Sequence, residues 1–267
     1  MSRASATAKI NLALVVGPKR ADGYHEVATV LQRIDLADRL DVEPAAGIAV
    51  DGLAADTLVR RALTLLSAET GQAWHARIEK RIPIAAGLGG GSSDAATALS
   101  LANATLDEPL PRDRLAALAA GLGADVPFFL TNGPQLGTAI GTRLEPLDLP
   151  QDYRVVIVLP HDARKASTAE VYRAFDRGNG FEDRREALLT SLAGVRQAAD
   201  LEALPPNDLA RSPVAEELRA AGAFRADVSG AGPAVYGLFL EREEAVAASR
   251  LIRPRGRVWI TAPAWYG

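Results

Sequence analysis

Ile84-Ala85-Ala86-Gly87-Leu88-Gly89-Gly90-Gly91-Ser92-Ser93-Asp94-Ala95-Ala96 decides the reading of this 267-residue chain. Four glycines and two serines run straight into an alanine-rich segment that reads as a helix, about Ser93 to Thr105. Glycine allows positive φ and close approach of a ligand to backbone. A helix start offers unpaired N–H groups and the positive end of the dipole. Together these form an anion cradle, and phosphate is the usual anion. Ser92 or Ser93 is expected as the N-cap. Asp94, near the first turn, suits the dipole but must point away from a bound phosphate. The loop points to a nucleotide-using enzyme.

Working outward, Ala8-Lys9-Ile10-Asn11-Leu12-Ala13-Leu14 alternates as a half-buried strand does. Ile10, Leu12 and Leu14 share one face; Lys9 and Asn11 share the other, with Cα atoms roughly 7 Å apart. This strand is expected to end by Gly17-Pro18, before an Asp-Gly turn in Arg20–His25. Strands are expected around Val27–Ile34, Leu40–Glu43 and Trp74–Ile82. A helix over Thr57–Gly71 would bury Leu58, Ala62, Leu65 and Leu66 and stop at Gly71. A second helix, Arg112–Ala120, gives way to Gly121-Leu122-Gly123. Asp125 follows, ahead of a proline suited to a helix start. After a proline-rich boundary at Pro146–Gln151, Val155–Leu159 reads as a buried strand. Helices Ala169–Phe175, Ala215–Ala221 and Glu243–Leu251 are expected. Two strands lie within Val228–Leu240, around Ser229-Gly230-Ala231-Gly232-Pro233, and a last strand covers Arg257–Ala262. The mixture predicts an α+β chain in two domains, 1–150 and 151–267.

Bulk composition narrows the function. The net charge is −3, so no global basic field favours nucleic acid. There is no cysteine, so disulfides and thiolate metal sites are excluded, and with His25, His75 and His161 as the three histidines no structural zinc is expected. No apolar run is long enough to span a membrane, and Met1-Ser2-Arg3-Ala4-Ser5 is too short and polar for a secretory signal; a cytoplasmic protein is expected. Of the 30 basic residues only Lys9, Lys19, Lys80 and Lys165 are lysines, which leaves 26 arginines (30 minus 4). Each lysine is therefore a candidate for a role needing a compact point charge.

The glycine loop is not a P-loop, because no lysine follows it, and not a dinucleotide fingerprint, because Pro83 separates it from the preceding strand. Protein-kinase signatures are absent. The stretch Pro83 to Ser93 instead resembles the second motif of the GHMP kinases. Ala8-Lys9-Ile10-Asn11-Leu12 is similar to the first motif of that superfamily and Ser229-Gly230-Ala231-Gly232-Pro233 to the third. Within it, Arg20-Ala21-Asp22-Gly23-Tyr24-His25, Gly123-Ala124-Asp125-Val126-Pro127-Phe128, Ser167-Thr168-Ala169-Glu170-Val171-Tyr172 and Asn207-Asp208-Leu209 resemble the 4-diphosphocytidyl-2-C-methyl-D-erythritol kinase family, across almost the whole chain.

The resemblance implies a two-domain GHMP kinase fold, with an N-terminal ribosomal-S5-like domain and a C-terminal ferredoxin-like α/β-plait domain. It implies phosphorylation by ATP, with Mg²⁺, of the 2-hydroxyl of 4-diphosphocytidyl-2-C-methyl-D-erythritol in the non-mevalonate route to isoprenoid precursors, by a monomer or homodimer. No acidic cluster marks Mg²⁺ ligands. Asp125 would take the hydroxyl proton, and Lys9 beside it would favour the developing charge. A helix N-terminus and a lysine both lower the basicity of a carboxylate, so Asp125 would orient the hydroxyl more than deprotonate it strongly. Lys80, Pro83, Gly87, Leu88, Gly89, Gly90, Gly91, Ser92 and Ser93 would bind ATP. Asn11, Tyr24, His25, Asp125, Thr168, Tyr172, Gly230 and Gly232 would bind the substrate, with Tyr24, His25 and Tyr172 around the cytosine. Thr57 stands where the family carries asparagine, which leaves the adenine contact unassigned.

Other readings of the same residues stand beside this one. A homoserine, mevalonate or sugar kinase of the superfamily would not need Tyr24, His25 and Tyr172, because those substrates carry no base. A nucleotide-binding relative without activity would not need both Lys9 and Asp125. A glycine-rich structural protein would gain no stability from nucleotide.

Overall fold

The computed structural model describes residues 2–52, 57–163, 168–175 and 180–264. Met1, Lys165 and Ser167, named above, lie outside the described residues. The chain forms two compact units. One comprises Met1–Ala8, Leu36–Ile84 and Gly89–Asn132, the other Lys9–Asp35, Ala85–Leu88 and Gly133–Gly267. Two long strands, β1 (Ser2–Lys19) and β2 (His25–Pro44), contribute residues to both. The two strands expected in Val27–Glu43 are this one strand, β2, and β1 runs past Gly17-Pro18.

In the first unit, β3 (Ala49–Asp51), α1 (Leu58–Thr70) and β4 (Trp74–Glu79) precede α2 (Gly90–Asn103) and α3 (Arg112–Leu122). β4 pairs antiparallel with the end of β2, from Arg39↔Glu79 to Pro44↔Trp74, and parallel with β3. Helix α1 is punctuated as its sequence implies: Thr57 Oγ1 accepts the Arg60 N–H, and Gly71 closes the helix at φ 70°. Its buried stripe is Val59, Ala62, Leu63 and Leu66. Leu65 is 37% exposed, so the expected stripe is rotated by part of a turn. Gly121 continues α3 and Gly123 ends it.

In the second unit, β5 (Gln135–Thr138) pairs with Thr29–Leu31 of β2 and with β6 (Arg143–Pro146). A separate antiparallel sheet has the order β10-β7-β9-β8, from β7 (Arg154–Pro160), β8 (Arg225–Val228), β9 (Val235–Phe239) and β10 (Gly256–Thr261). The remaining helices are α4 (Thr168–Ala174), α5 (Phe181–Gly194), α6 (Pro213–Ala220) and α7 (Arg242–Ile252). Val214 and Leu218 of α6 join Ala245, Ala248 and Ile252 of α7 in one core with Val156, Val158, Val228, Val235 and Phe239. This is an α/β plait: two helices cover one face of an antiparallel sheet.

The half-buried reading of β1 is corrected. Lys9 is 4% and Asn11 5% exposed, so its polar face is as buried as the face of Ile10 and Leu12. Arg225 explains part of this burial. Its guanidinium donates to the carbonyls of Leu12 at 2.6 Å, Leu204 at 2.6 Å and Pro205 at 2.8 Å, and the Tyr236 hydroxyl also reaches Leu12 O at 3.3 Å. Backbone acceptors that would otherwise be stranded are thereby satisfied.

Candidate active site

The second unit carries the first and third motifs and the opening of the glycine loop. The Lys9 N–H donates to Leu88 O at 2.9 Å, which ties β1 to the loop. Lys9 Nζ donates to Asn11 Oδ1 at 2.7 Å, Asn11 Nδ2 to Thr29 Oγ1 at 2.7 Å, and Thr29 Oγ1 to Ala13 O at 2.8 Å. The chain of bonds fixes the orientation of the Asn11 amide, whose Nδ2 keeps a second proton beyond the one given to Thr29. A buried ammonium held this way is a preorganised positive charge.

The turn at Ser229–Pro233 lies directly on these groups. A Cβ at Gly230 (φ 59°) would stand 3.2 Å from Asn11 Oδ1 and 3.4 Å from Lys9 Nζ. Ser229 Oγ donates to Gly87 O at 3.0 Å, and the Ala234 N–H to Ala86 O at 3.0 Å. Ala85 holds φ 57° without being glycine, an uncommon conformation that these bonds help to fix.

The turn is anchored from behind. Asn207 Nδ2 donates to Val228 O at 2.9 Å and Gly230 O at 2.7 Å, while its N–H donates to Asp227 Oδ2. Asp208 accepts the Val16 N–H at 3.0 Å and the Arg184 Nε at 3.1 Å. The sequence segment Asn207-Asp208-Leu209 carried the resemblance without a role; its role in this fold is to hold β1 and the third-motif turn.

At the far end of β1, His25 Nδ1 lies 2.9 Å from Gly17 O. A carbonyl only accepts, so Nδ1 carries a proton. The His25 ring is 5.6 Å from that of Tyr172, tilted at 44°, and 6.1 Å edge-on from Phe175. Phe175 was not singled out in the sequence, and only its spacing of three from Tyr172 on a helix could have pointed to it. Tyr24 sits on the Arg20–His25 turn and is 60% exposed. Thr168 opens α4 and is exposed.

The first unit carries the helix end of the loop and Asp125. Helix α2 starts at Gly90, earlier than expected, and its cap is Gly89 at φ 70°, not Ser92 or Ser93. A positive φ is the reason glycine stands there. The Ser93 N–H donates to Gly89 O at 2.9 Å, leaving the preceding N–H groups of Gly90, Gly91 and Ser92 for an external acceptor. Ser93 is itself buried. Asp94 lies past the first turn, also buried, and its Oδ2 accepts from Lys80 at 2.8 Å. Lys80 also donates to Asp38, so its ammonium is held between two carboxylates. Pro83 is half-buried after this cluster. Asp125 is half-buried in the turn before the 3-10 helix Pro127–Leu130. Among the described residues no group of three His, Asp or Glu side chains could hold a metal ion, and no helix is long and apolar enough to cross a membrane.

The model of the GHMP kinases N terminal domain matches residues 57–133 and that of the GHMP kinases C terminal region residues 212–253. The 4-diphosphocytidyl-2-C-methyl-D-erythritol kinase of Desulfitobacterium hafniense (strain Y51) is 37% identical over 276 residues, covering 96% of this chain and 93% of that protein. The protein of the same name from Pelotomaculum thermopropionicum is 40% identical, covering 97% of this chain and 96% of its own. A crystal structure of 4-(cytidine 5'-diphospho)-2C-methyl-D-erythritol kinase matches with a TM-score of 0.82 and 35% identity, over 98% of this chain and 100% of that one. The chain belongs to the 4-diphosphocytidyl-2-C-methyl-D-erythritol kinase family of the GHMP kinases.

Proposed function

We propose that the chain transfers the γ-phosphoryl group of ATP to the 2-hydroxyl of 4-diphosphocytidyl-2-C-methyl-D-erythritol, in the cytoplasm, on the route to isoprenoid precursors. The observation that carries this reading is the buried chain Lys9–Asn11–Thr29 beneath the third-motif turn. A charged amine costs too much to bury in a strand whose only task is packing. Family membership supplies the reaction, and Lys9 is the group in this fold best suited to it.

In the proposed reaction the N–H groups of Gly90, Gly91 and Ser92 and the positive end of α2 bind the ATP phosphates. Pro83, Leu88 and Ser93 hold the loop in shape, with Gly87 and Gly89 supplying its turns. Mg²⁺ enters with ATP as part of the nucleotide substrate. The substrate 2-oxygen attacks the γ-phosphorus, the bond from that phosphorus to the β,γ-bridging oxygen breaks, and ADP leaves. Asp125 accepts the hydroxyl proton. Lys9 stabilises the charge on the attacking oxygen, and the second Nδ2 proton of Asn11 positions the substrate. The third-motif glycines Gly230 and Gly232 let substrate phosphates approach backbone. His25 and Tyr172, with Tyr24 and Thr168, recognise the cytidine end.

The test is ADP release with MgATP and a panel of 4-diphosphocytidyl-2-C-methyl-D-erythritol, homoserine, mevalonate and galactose. Turnover confined to the cytidine compound is expected. Turnover with another alcohol removes the cytidine assignment, and nucleotide binding without any turnover removes the kinase assignment.

A further inference from the structure

Lys80, Asp38 and Asp94 form a buried cluster drawn from the end of β4, from β2 and from α2. The Asp38 side chain is fully buried and is committed to three donors: Lys80 Nζ, the Arg81 N–H at 2.6 Å and the Ile82 N–H at 2.9 Å. Its charge is the counter-charge to Lys80. Asp94 is the surplus acid. One of its oxygens accepts from Lys80; the other, Oδ1, is buried with no hydrogen-bond partner. The ammonium they hold lies against the helix start, since a Cβ at Gly90 would be 3.3 Å from Lys80 Nζ.

We propose that Asp94 is a positioning residue for the nucleotide: with Asp38 it holds Lys80 against the first residue of α2, and the charge on its carboxyl sets how strongly that helix start binds the ATP phosphates. The inference rests on the proposed binding of ATP at Gly90–Ser92. An ionised Asp94 would give the cluster a net charge of −1 about 6 Å along the axis from Gly90, four residues away. A protonated Asp94 leaves it neutral. An unbonded buried carboxylate oxygen is costly, and protonation removes the charge responsible.

The surroundings agree. Burial pushes the Asp94 carboxyl up, Lys80 partly opposes this and Asp38 adds to it, giving a value of about 7. Among the described residues, the faces that α1 and α3 bury are apolar. Helix α1 buries Val59, Ala62, Leu63 and Leu66, α3 buries Leu118, Ala119 and Leu122, and the turn at Pro127–Leu130 has no charged residue. Arg60 is turned to Ile48 O and Arg114 to Glu69. On β4, Glu79 is paired with Arg81, and His75 with Asp51.

The test compares the wild type with Asp94→Asn, which keeps the shape and an acceptor for Lys80. The Kd of MgATP is measured by calorimetry from pH 6 to 8.5; the nucleotide's own titration is common to both proteins and cancels in the ratio. The wild type is expected to weaken relative to the variant by roughly three- to tenfold across this range, the effect of one charge at this separation in a partly screened site. A ratio that does not change with pH overturns the proposal. Carbon-13 NMR of the nucleotide-free wild type is the second readout: the Asp94 carboxyl is expected to titrate near neutrality, and a carboxyl fixed in one state from pH 5 to 9 overturns the proposal without any variant. If the carboxyl titrates while MgATP binds at no pH, the kinase reading fails and the coupling to ATP fails with it.

Discussion

Gly232 and Gly87 are packed backbone to backbone. A Cβ on Gly87 would lie 2.7 Å from the Gly232 Cα, and a Cβ on Gly232 would collide with the Gly87 nitrogen and the Ala86 carbonyl. The third motif is thus the seat of the first half of the glycine loop, whatever else it touches. Gly232→Ala is expected to destabilise the protein by about 1–3 kcal/mol, because backbone cannot move aside as a side chain does. Displacement of the loop is expected to lower kcat/KM by roughly 100-fold. Thermal unfolding and steady-state kinetics check both. A variant equal to the wild type in each would show that the loop does not depend on this seat.

Asp125→Asn tests the proposed base. The residue is half-buried in a turn, and an isosteric amide there preserves the fold. Loss of a general base costs about 10²–10⁴-fold in turnover. The expected result is that loss in kcat with unchanged MgATP binding, measured by single-turnover phosphoryl transfer. Retained turnover assigns proton removal elsewhere.

Tyr172→Ala tests the cytidine end. The Tyr172 ring lies beside His25 and packs against Leu14, Val16 and Val27. A base stacked on an aromatic ring gains about 1–3 kcal/mol, so KM for the cytidine substrate should rise by roughly 5- to 150-fold. KM for ATP should stay within about twofold, since that site lies on other elements. Equal effects on both substrates would mean that Tyr172 supports the fold and not the base.

How much of this was legible differs residue by residue. Glycine announces itself at Gly87, Gly89 and Gly230 because positive φ excludes most other residues, so the loop and the turn were readable. The burial of Lys9 and Asn11 was not. Alternation along β1 is the same whether its second face meets water or protein; the cover comes from residues about two hundred positions away, at Arg225 and Ser229–Gly232. Helix α5 escaped notice because it buries only Leu188 and shows no apolar stripe. The Asp38–Lys80–Asp94 cluster draws on three elements and has no local spacing to read.

Arg225 offers a test of that distant cover. Its guanidinium bonds the carbonyls of Leu201, Glu202, Leu204, Leu12 and Pro205. Arg225→Met fills the volume but leaves those acceptors buried and unpaired, and is expected to cost about 3–5 kcal/mol. Arg225→Lys should recover little, because an ammonium cannot fan out over the same arc. Urea unfolding within about 1 kcal/mol of the wild type in Arg225→Met would deny the role.

The pH dependence of stability provides the last prediction. The Asp94 carboxyl has a value of about 7 in the folded protein against 3.8 in an unfolded chain, chiefly through burial. Between those values the folded state holds a proton that the unfolded state has released. Raising the pH across this window therefore destabilises the fold, by up to about 1.4 kcal/mol per pH unit, and the loss is complete once the pH exceeds 7 by about a unit. Carboxyls held low by ion pairs, such as Asp41 beside Arg3, act in the opposite direction but only at more acid pH. Urea midpoints at pH 5.5, 6.5, 7.5 and 8.5 should thus fall and then level in the wild type, and Asp94→Asn should remove the fall. Every other ionisable group is present in both proteins, so the difference between the two curves isolates Asp94. Parallel curves would mean that Asp94 stays ionised and that Lys80 outweighs the cost of burial.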